Sequence, residues 1–295
     1  MAYVTIFTPT FNRAELLLKL YNSLLQQTCT DFEWYIVDGC SNDNTRGLVG
    51  EFRDENKIPI KFEENPRRSK YTALLNYAFK KTNSKLLFIV DSDDTITPDA
   101  IEKIIRADQT YDTDETAGYF FLCEYPESKF VIKPLETGKE IHFIELSTQR
   151  NDKIDTCCQV YKIAVLRKCK FPDFHEEFMP ESVLWNIIDQ VYKITEINEV
   201  IYKREYQEDG YTKSGRKKNV NSPLGSMESN RYLLNAKIPF RKKLKANLLF
   251  VCYGLIAKKS IVQLVNESTS KVLTILCVPS ALCIAMIWSK KWKNN

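Results

Sequence analysis

The sequence predicts an α/β fold with a parallel sheet that is covered by helices on both faces. Two features of the first hundred residues lead to this class. Short, largely apolar runs lack the alternation of a half-exposed strand, and the segments between them carry apolar residues at helical spacing. Such alternation of buried strands and amphipathic helices is typical of α/β domains. The 295 residues suffice for one such domain and a further segment.

The predicted elements follow one another along the first hundred residues. Strands are expected at 4–7, 34–37, 60–62 and 86–90. One helix is expected after Asn12, with the leucines between 16 and 25 on one of its faces, and another at 72–81. The run Thr8-Pro9-Thr10 is expected to break the first strand. Asn12 is expected to cap the next helix, with Glu15 as its capping-box partner. Thr97 and Pro98 have the form of an N-cap followed by proline at the first helical position.

Three polar clusters follow the strands where they end. They are Thr8 to Arg13, Asp38 to Thr45, and the turn Asp91-Ser92-Asp93-Asp94. Ligands of parallel sheets bind at the carboxyl ends of the strands, so these clusters are expected at one edge. The carboxylates of the last turn could hold Mg²⁺ or Mn²⁺, which take hard oxygen ligands together with water and substrate phosphate. A solvated acidic turn that caps the following helix explains the same residues.

Two further side chains in this half could bind a nucleotide. Asp38 ends the second predicted strand, where its carboxylate could accept the imide N–H of a uracil. A strand-end Asx-turn is the simpler explanation of that residue. Lys70 begins a helix near Arg67 and Arg68 and could pair with a diphosphate, although a solvated basic loop would have the same composition.

The order and spacing of four motifs resemble those of family-2 glycosyltransferases with the GT-A fold. The motifs are Thr8-Pro9-Thr10-Phe11-Asn12-Arg13, Val37 to Thr45, Asn65 to Asn76, and Asp91-Ser92-Asp93-Asp94. The resemblance covers residues 1 to about 210. It implies a Rossmann-like, nucleotide-sugar-binding domain with a mixed central sheet. Many members have a second Asp followed by Gly-Ser where this chain has Gly39-Cys40-Ser41.

The resemblance also implies roles for individual residues. In that family the first motif and the strand-end Asp hold the nucleoside, and the D-x-D carboxylates contact the ribose and the metal–diphosphate. The side chains that this assigns to the nucleotide-sugar are Thr8, Pro9, Thr10, Asn12, Arg13, Asp38, Lys70, Asn76, Asp91 and Ser92. Asp93 is assigned to the metal, which would be Mn²⁺ or Mg²⁺.

An inverting transferase needs a carboxylate that takes the proton of the acceptor hydroxyl. In the family this base lies in an acidic motif that opens a downstream helix, and Phe178 to Asn186 is the matching segment. Many relatives carry Glu-Asp there, whereas this chain has Glu181 followed by Ser182. Serine is no base at neutral pH, so the resemblance passes the role to Glu181, with Glu176 and Glu177 as alternatives. A first-turn acid favoured by the helix dipole is the structural explanation.

Charge is unevenly distributed along the chain. Residues 212–295 contain 16 Lys or Arg and two acids, which leaves 26 basic and 36 acidic residues in the first 211. We therefore expect a catalytic domain over 1–211, with a nucleotide-binding half at 1–100 and an acceptor half at 101–211. A basic, apolar helical segment is expected over 212–295.

This segment contains an uncharged run of 17 residues, Val272 to Trp288. At about 1.5 Å per residue the run spans roughly 26 Å, short of a bilayer core of about 30 Å, and Pro279 lies in its middle. Helices lying in an anionic membrane surface fit better, given the basic flanks and Trp288 and Trp292. A helical hairpin packed on the catalytic domain is the alternative. So long an apolar run argues against nucleic acid as a partner.

These features predict a cytoplasmic enzyme, peripheral at the inner face of the cell membrane. The absence of a leader-like N-terminal run and the scattered cysteines favour this location. The expected reaction transfers a hexose or N-acetylhexosamine from a UDP-sugar to a glycan or lipid-linked glycan acceptor. A non-catalytic nucleotide-binding membrane scaffold is one alternative. A sugar-nucleotide nucleotidyltransferase is another, although it would need a glycine-rich loop that Thr8 to Arg13 lacks.

Overall fold

The computed structural model of the protein describes residues 1–65, 70–124, 134–145, 157–174, 176, 178–205 and 215–292. Its strands are β1 (Val4–Thr10), β2 (Phe32–Asp38), β3 (Ile60–Glu64), β4 (Leu86–Ile89), β5 (Thr95–Ile96), β6 (Thr116–Glu124), β7 (Glu140–Ile141), β8 (Cys157–Lys162) and β9 (Lys193–Lys203). Its helices are α1 (Ala14–Leu25), α2 (Thr45–Glu55), α3 (Tyr71–Lys81), α4 (Ala100–Tyr111), α5 (Ile163–Lys168), α6 (Ser182–Ile188), α7 (Gly215–Asn221), α8 (Pro223–Asn235), α9 (Phe240–Ile256), α10 (Ile261–Glu267) and α11 (Lys271–Trp292).

The strands form one mixed sheet in the order β3-β2-β1-β4-β8-β6-β9-β5, and β7 also pairs with β9. The half that contains β1 to β4 is parallel. Strand β8 lies antiparallel between β4 and β6, whereas β6 and β9 are parallel. The predicted mixed central sheet is confirmed, and the carboxyl ends of β1, β2 and β4 lie at one edge.

Strand β1 continues through Thr8, Pro9 and Thr10, so the predicted break after Phe7 is wrong. Its last three residues pair with β2, where Thr10 lies opposite Asp38. Pairing with β4 ends at Phe7. Beyond that point no strand among the described residues lies on the β4 side of β1. The missing N–H of Pro9 therefore costs no ladder hydrogen bond there.

An aromatic stack fixes the parallel half of the sheet against its helices. The rings of Tyr21 on α1 and Phe52 on α2 stack with centroids 4.0 Å apart, and Trp34 of β2 lies 6.1 Å from each. All three side chains are buried. Burial of each such ring stabilises the fold by about 2 to 3 kcal/mol. Because Trp34 is part of this core, the register of β2 against β1 is firmly set.

The chain divides into two compact units. The first contains the sheet and comprises the described residues within Met1–His142, Arg150–Lys170 and Val191–Gln207. The second is helical and comprises those within Phe143–Gln149, Phe171–Gln190 and Glu208–Asn295. The segment that contains α6 belongs to the same compact unit as the C-terminal helices. The functional boundary near residue 211 stays a prediction.

Candidate active site

The end of β1 presents two buried threonines with different surroundings. The indole N–H of Trp34 donates to Thr8 Oγ1 over 2.9 Å, so this hydroxyl belongs to the core. Thr10 is 4% exposed, and its Oγ1 has no hydrogen-bond partner among the residues that the structure describes. An unpaired buried hydroxyl costs about 1 to 3 kcal/mol. Thr10 is therefore the better candidate of the two for a side-chain contact with a ligand.

The loop after β2 is organised around the Asp38 carboxylate. Ser41 donates to it twice, through its backbone N–H over 3.0 Å and through its hydroxyl. This is the turn that the simpler explanation of Asp38 predicts. A carboxylate has about four acceptor positions, and the described residues occupy two of those on Asp38. Asp38 is 2% exposed, and Cys40 beside it adopts a left-handed backbone with φ of 77°.

Hydrogen bonds join the loop after β1 to the loop after β2. The backbone N–H of Asn12 donates to Ser41 Oγ over 2.7 Å, and the Asn12 side-chain oxygen accepts from the backbone N–H of Asn42 over 2.8 Å. Asn12 has a φ of 52° and does not cap α1. The predicted capping box with Glu15 is wrong, because the Asn12 side chain is used between the loops.

The cap of α1 comes instead from Asp43. Its carboxylate accepts from the backbone N–H of Ala14 over 3.0 Å and from that of Thr45 over 3.1 Å. Burial acts to raise the pKa of Asp43, but the hydrogen bonds from Thr45 and Ala14 outweigh it and hold that pKa below its ordinary value. One ionised side chain thus fixes the first turns of both α1 and α2.

The turn after β4 divides its carboxylates into two environments. Asp94 is buried; its Oδ2 accepts from the Tyr202 hydroxyl over 2.7 Å and its Oδ1 from the backbone N–H of Glu205 over 2.9 Å. Burial raises the pKa of Asp94 to about 6, although these hydrogen bonds oppose the rise. The Tyr202 hydroxyl also accepts from the backbone N–H of Asp91 over 3.1 Å. Asp91 and Asp93 are partly exposed.

Tyr202 is a site residue that the sequence does not indicate. It lies near the end of β9, and its hydroxyl joins the two ends of the Asp91–Asp94 turn. The ring packs edge-on against Phe88 of β4, with centroids 5.9 Å apart. Burial raises the pKa of Tyr202 well above its ordinary value, so the phenol stays protonated and can donate to Asp94.

An ion pair connects the first motif to this turn. Arg13 Nη1 lies 3.4 Å from Asp93 Oδ2, and each side chain is about a quarter exposed. Within the described part of the chain, no group of three or more His, Cys, Asp or Glu side chains could hold a metal ion. Asp91 and Asp93 still fit a hard cation that takes its other ligands from phosphate and water.

The third motif is only partly described. Its first residue, Asn65, donates its backbone N–H to the Asp38 carbonyl oxygen over 2.9 Å, which fixes the start of the segment at the end of β2. Arg67 and Arg68 lie outside the described residues. Lys70 precedes the first turn of α3, and Asn76 lies within that helix. No hydrogen bond or ion pair among the described residues joins Lys70 to the other predicted donor-binding side chains.

The candidate bases belong to the second unit and differ in their surroundings. The Glu176 carboxylate accepts from the backbone N–H groups of Leu224 over 2.8 Å and Gly225 over 2.9 Å, so it caps α8. Glu177 lies outside the described residues. Glu181 is exposed at the start of α6. Burial lowers the pKa of Lys218, and the nearby charge of Glu181 acts in the opposite direction.

The position after Glu181 has a structural role. Ser182 Oγ lies 2.8 Å from Ser229 Oγ of α8, and Asn186 Nδ2 donates to the Ser229 carbonyl oxygen over 3.1 Å. These bonds fix α6 against α8. Glu176 and Glu181 are the two predicted bases that the structure describes. Of these, Glu181 is the exposed one, at the start of a helix that is fixed against α8.

Comparison with known proteins identifies the family. The sequence profile described as Glycosyl transferase family 2 matches residues 5–171, which include Thr10, Asp38 and Asp93. The chain belongs to this family. Glu181 lies beyond the matched residues, so its assignment as base, like the other residue roles, stays a prediction.

Two bacterial relatives illustrate the similarity of this family-2 chain. It is 31% identical over 105 residues to the poly(ribitol-phosphate) beta-N-acetylglucosaminyltransferase TarS of Staphylococcus aureus, covering 35% of this chain and 18% of TarS. It is 25% identical over 147 residues to the glycosyltransferase GlyG of Streptococcus pneumoniae, covering 50% of this chain and 48% of GlyG. The aligned segments thus span less than half of either relative.

Solved structures show the same fold. The family-2 chain superposes on residues 1–349 of Staphylococcus aureus TarS in complex with UDP-GlcNAc, with a TM-score of 0.64 and 19% identity over 95% of this chain and 80% of that one. For the mannosyltransferase PcManGT of Pyrobaculum calidifontis, in complex with GDP-Man and Mn²⁺, the TM-score is 0.56 at 14% identity. That superposition covers 99% of this chain and 83% of PcManGT. The predicted GT-A fold is confirmed.

Proposed function

We propose that the protein transfers a sugar from a UDP-linked donor to a glycan or lipid-linked glycan acceptor in cell-surface polysaccharide synthesis. The observation that carries this proposal is the joined set of loops at the ends of β1, β2 and β4, beside the Thr10 hydroxyl, which has no partner in the part of the chain that the structure describes. Family membership supports the reaction class. The UDP-GlcNAc in the TarS complex supports the donor, and the beta-N-acetylglucosaminyltransferase activity of TarS supports an N-acetylhexosamine as one candidate sugar.

Asp91 and Asp93 are the side chains that would hold Mn²⁺ or Mg²⁺. When bound, the cation would neutralise charge on the departing diphosphate. Mn²⁺ in the PcManGT complex supports a divalent ion in this fold. Arg13 would exchange its partner when a donor binds, because its guanidinium can leave Asp93 and bind phosphate oxygens with two parallel hydrogen bonds.

The proposed chemistry is one displacement with inversion at the anomeric carbon. The acceptor oxygen forms a bond to that carbon while the bond to the diphosphate oxygen breaks, and the bonding electrons leave with the diphosphate. Glu181 takes the proton of the acceptor hydroxyl. The exposure of Glu181 supports this role, and the two backbone N–H groups bound by Glu176 argue against the alternative base.

Release of nucleoside diphosphate from purified protein tests the reaction class. The full chain is incubated with a panel of UDP- and GDP-linked sugars, with Mn²⁺ or with EDTA. We expect slow, metal-dependent release of UDP from at least one UDP-sugar. Binding of UDP without release from any donor would favour the non-catalytic scaffold. Formation of a sugar nucleotide from a nucleoside triphosphate and a sugar phosphate would favour the nucleotidyltransferase.

Replacement of the base sharpens the test. Glu181→Gln keeps the size of the side chain and removes its basicity, so UDP release should fall by roughly 10² to 10⁴ with donor affinity nearly unchanged. Glu51→Gln, at an exposed site on α2, is the matched control and should have no effect. If donor affinity is lost together with activity, Glu181 has a structural role and another group is the base.

A further inference from the structure

The fully buried residues of helix α11 are small, whereas several of its large apolar residues are exposed. The buried positions Thr274, Cys277, Ala281 and Ala285 recur at helical spacing and face the second unit. The opposite side, here named the outer face of α11, has exposed fractions between 39% and 73% at Val272, Ile275, Leu276, Leu282, Met286 and Ile287. A helix on the surface of a soluble protein normally presents polar and charged residues on its exposed side. An apolar surface of this extent indicates a partner.

The inward side of α11 is attached near both ends of the helix. Near its start, Thr274 Oγ1 lies 3.0 Å from Asn247 Oδ1 of α9, and both side chains are buried. Near its end, the centroid of the Trp288 ring lies 5.7 Å from that of Tyr253. The Arg216 guanidinium lies 4.3 Å from the centroid of the Trp288 ring. These attachments are about 21 Å apart along the axis. One side of α11 is therefore unavailable to any other partner.

The charges around the outer face select an anionic partner. Lys271 precedes the apolar residues and Lys290 and Lys291 follow them, all three exposed. The two acids of residues 212–295 have basic partners, because Glu228 pairs with Arg231 and Glu267 lies 2.6 Å from Lys259. A second copy would bring the same lysines against these, which disfavours self-association. An apolar strip with cations at both ends matches an anionic lipid surface.

We infer that the outer face of α11 inserts into an anionic membrane surface with the helix axis parallel to that surface, without crossing it. Among the described residues, α11 is the one helix long and apolar enough to cross a membrane by length and composition. Crossing would carry the polar attachments at Asn247 and Arg216 toward hydrocarbon, which is costly. The exposed Pro279 leaves the Ile275 carbonyl without its helical donor, a group that water at the headgroups can satisfy.

Flotation of the full chain with vesicles tests the partner. The protein should float with phosphatidylcholine vesicles that contain phosphatidylglycerol, much less with phosphatidylcholine alone, and less as salt is raised. Leu276→Glu, at a side chain 70% exposed, should lower the bound fraction roughly tenfold. Leu18→Glu is the matched control, at a leucine 44% exposed on α1 of the first unit, and should leave binding unchanged.

The depth of single labels tests the orientation. An environment-sensitive fluorophore is placed on the exposed Cys283, or on cysteine introduced by Ile275→Cys or Ile287→Cys with Cys283→Ser, each with Cys40→Ser. Depth-dependent quenching should give similar, shallow positions for all three labels. A label at Cys283 much deeper than the other two would show a crossing helix and overturn the inference.

The inference rests on the proposed function only through the membrane location of the acceptor, and the two can fail separately. Hydrolysis of UDP-sugar without vesicles reports the reaction alone, and Leu276→Glu should not change it. Flotation without any hydrolysis would support the membrane inference and would overturn the proposed function. Hydrolysis by a protein that ignores anionic vesicles would overturn the membrane inference. A dimer that Leu276→Glu dissociates would do the same.

Discussion

The loops after β1, β2 and β4 in the first unit, here named the donor loops for their proposed ligand, differ from the outer face of α11 in the second unit. They show two ways to build a binding surface. In the donor loops, polar groups are bound to one another before any ligand arrives, as between Asn12 and Ser41 or between Arg13 and Asp93. The outer face of α11 is a strip of apolar side chains with lysines at its ends. A small charged ligand requires fixed donors and acceptors. A lipid surface requires apolar area and charge. Loss of a single polar atom should therefore weaken binding in the donor loops, whereas binding by α11 should depend on the total exposed apolar area.

Asp93→Ala should have the largest effect of the substitutions in the donor loops. It removes one of the two carboxylates proposed to hold a divalent ion and also the ion pair with Arg13. We expect Mn²⁺-dependent affinity for UDP to fall roughly a hundredfold or more, with the fold intact because Asp93 is partly exposed. Calorimetry with UDP, with and without Mn²⁺, measures the metal-dependent part.

Asp54→Ala, at an exposed site on α2, is the matched control for Asp93→Ala. It removes the same charge from the chain without touching the turn after β4, so its affinity for UDP should equal that of the unchanged protein. Undiminished metal-dependent affinity in Asp93→Ala would show that the metal is held elsewhere. Equal losses in both variants would indicate a general effect of net charge.

Local sequence signals predict the donor region well where the interactions are local. The apolar runs place β1, β2 and β4, and the polar clusters mark the sheet edge, because strand burial and turn composition depend on neighbouring residues. The interaction of Ser41 with Asp38, three residues away, is also of this kind. The family resemblance supplies the mixed sheet, which is confirmed, and residue roles, which stay predictions.

Contacts between distant segments account for what the sequence does not predict. Asn12 is of a residue type that commonly caps helices, but its backbone and side chain bind Ser41 and Asn42, 29 and 30 residues away. Asp43 caps α1 instead. Tyr202 lies 108 residues from Asp94, and an isolated tyrosine near a strand end gives no signal of that contact. The direction in which α11 faces likewise depends on its packing, since the run Val272 to Trp288 has no charged residue that would mark one side as exposed.

Tyr202→Phe should have an intermediate effect that tests whether the turn after β4 is held in place for metal binding. It keeps the ring and removes the hydroxyl that joins Asp91 to Asp94, which should cost about 1 to 3 kcal/mol of unfolding free energy. Metal-dependent UDP affinity should fall several-fold, whereas metal-free UDP affinity should change little.

Tyr119→Phe separates stability from positioning in this experiment. The Tyr119 hydroxyl is also buried and donates to a carboxylate, Asp108 Oδ1, over 3.0 Å. Its loss should lower the unfolding free energy by a similar amount without changing UDP affinity. Equal losses of metal-dependent affinity in both tyrosine variants would show that Tyr202 acts only through stability.

Cys40→Gly should have the smallest effect and tests how much strain the donor loops contain. Cys40 has a φ of 77°, a conformation that costs an L-residue about 1 to 2 kcal/mol. Glycine relieves that strain but adds freedom to the unfolded chain, so the net gain should be about 0 to 1 kcal/mol in chemical unfolding. Cys40→Ser keeps the Cβ and should give no gain. UDP affinity should stay the same in both, since the Asp38 carboxylate is held by Ser41. If Cys40→Gly instead weakens UDP binding, the left-handed residue is needed to keep the loop in its ligand-ready form, and the strain belongs to the donor site.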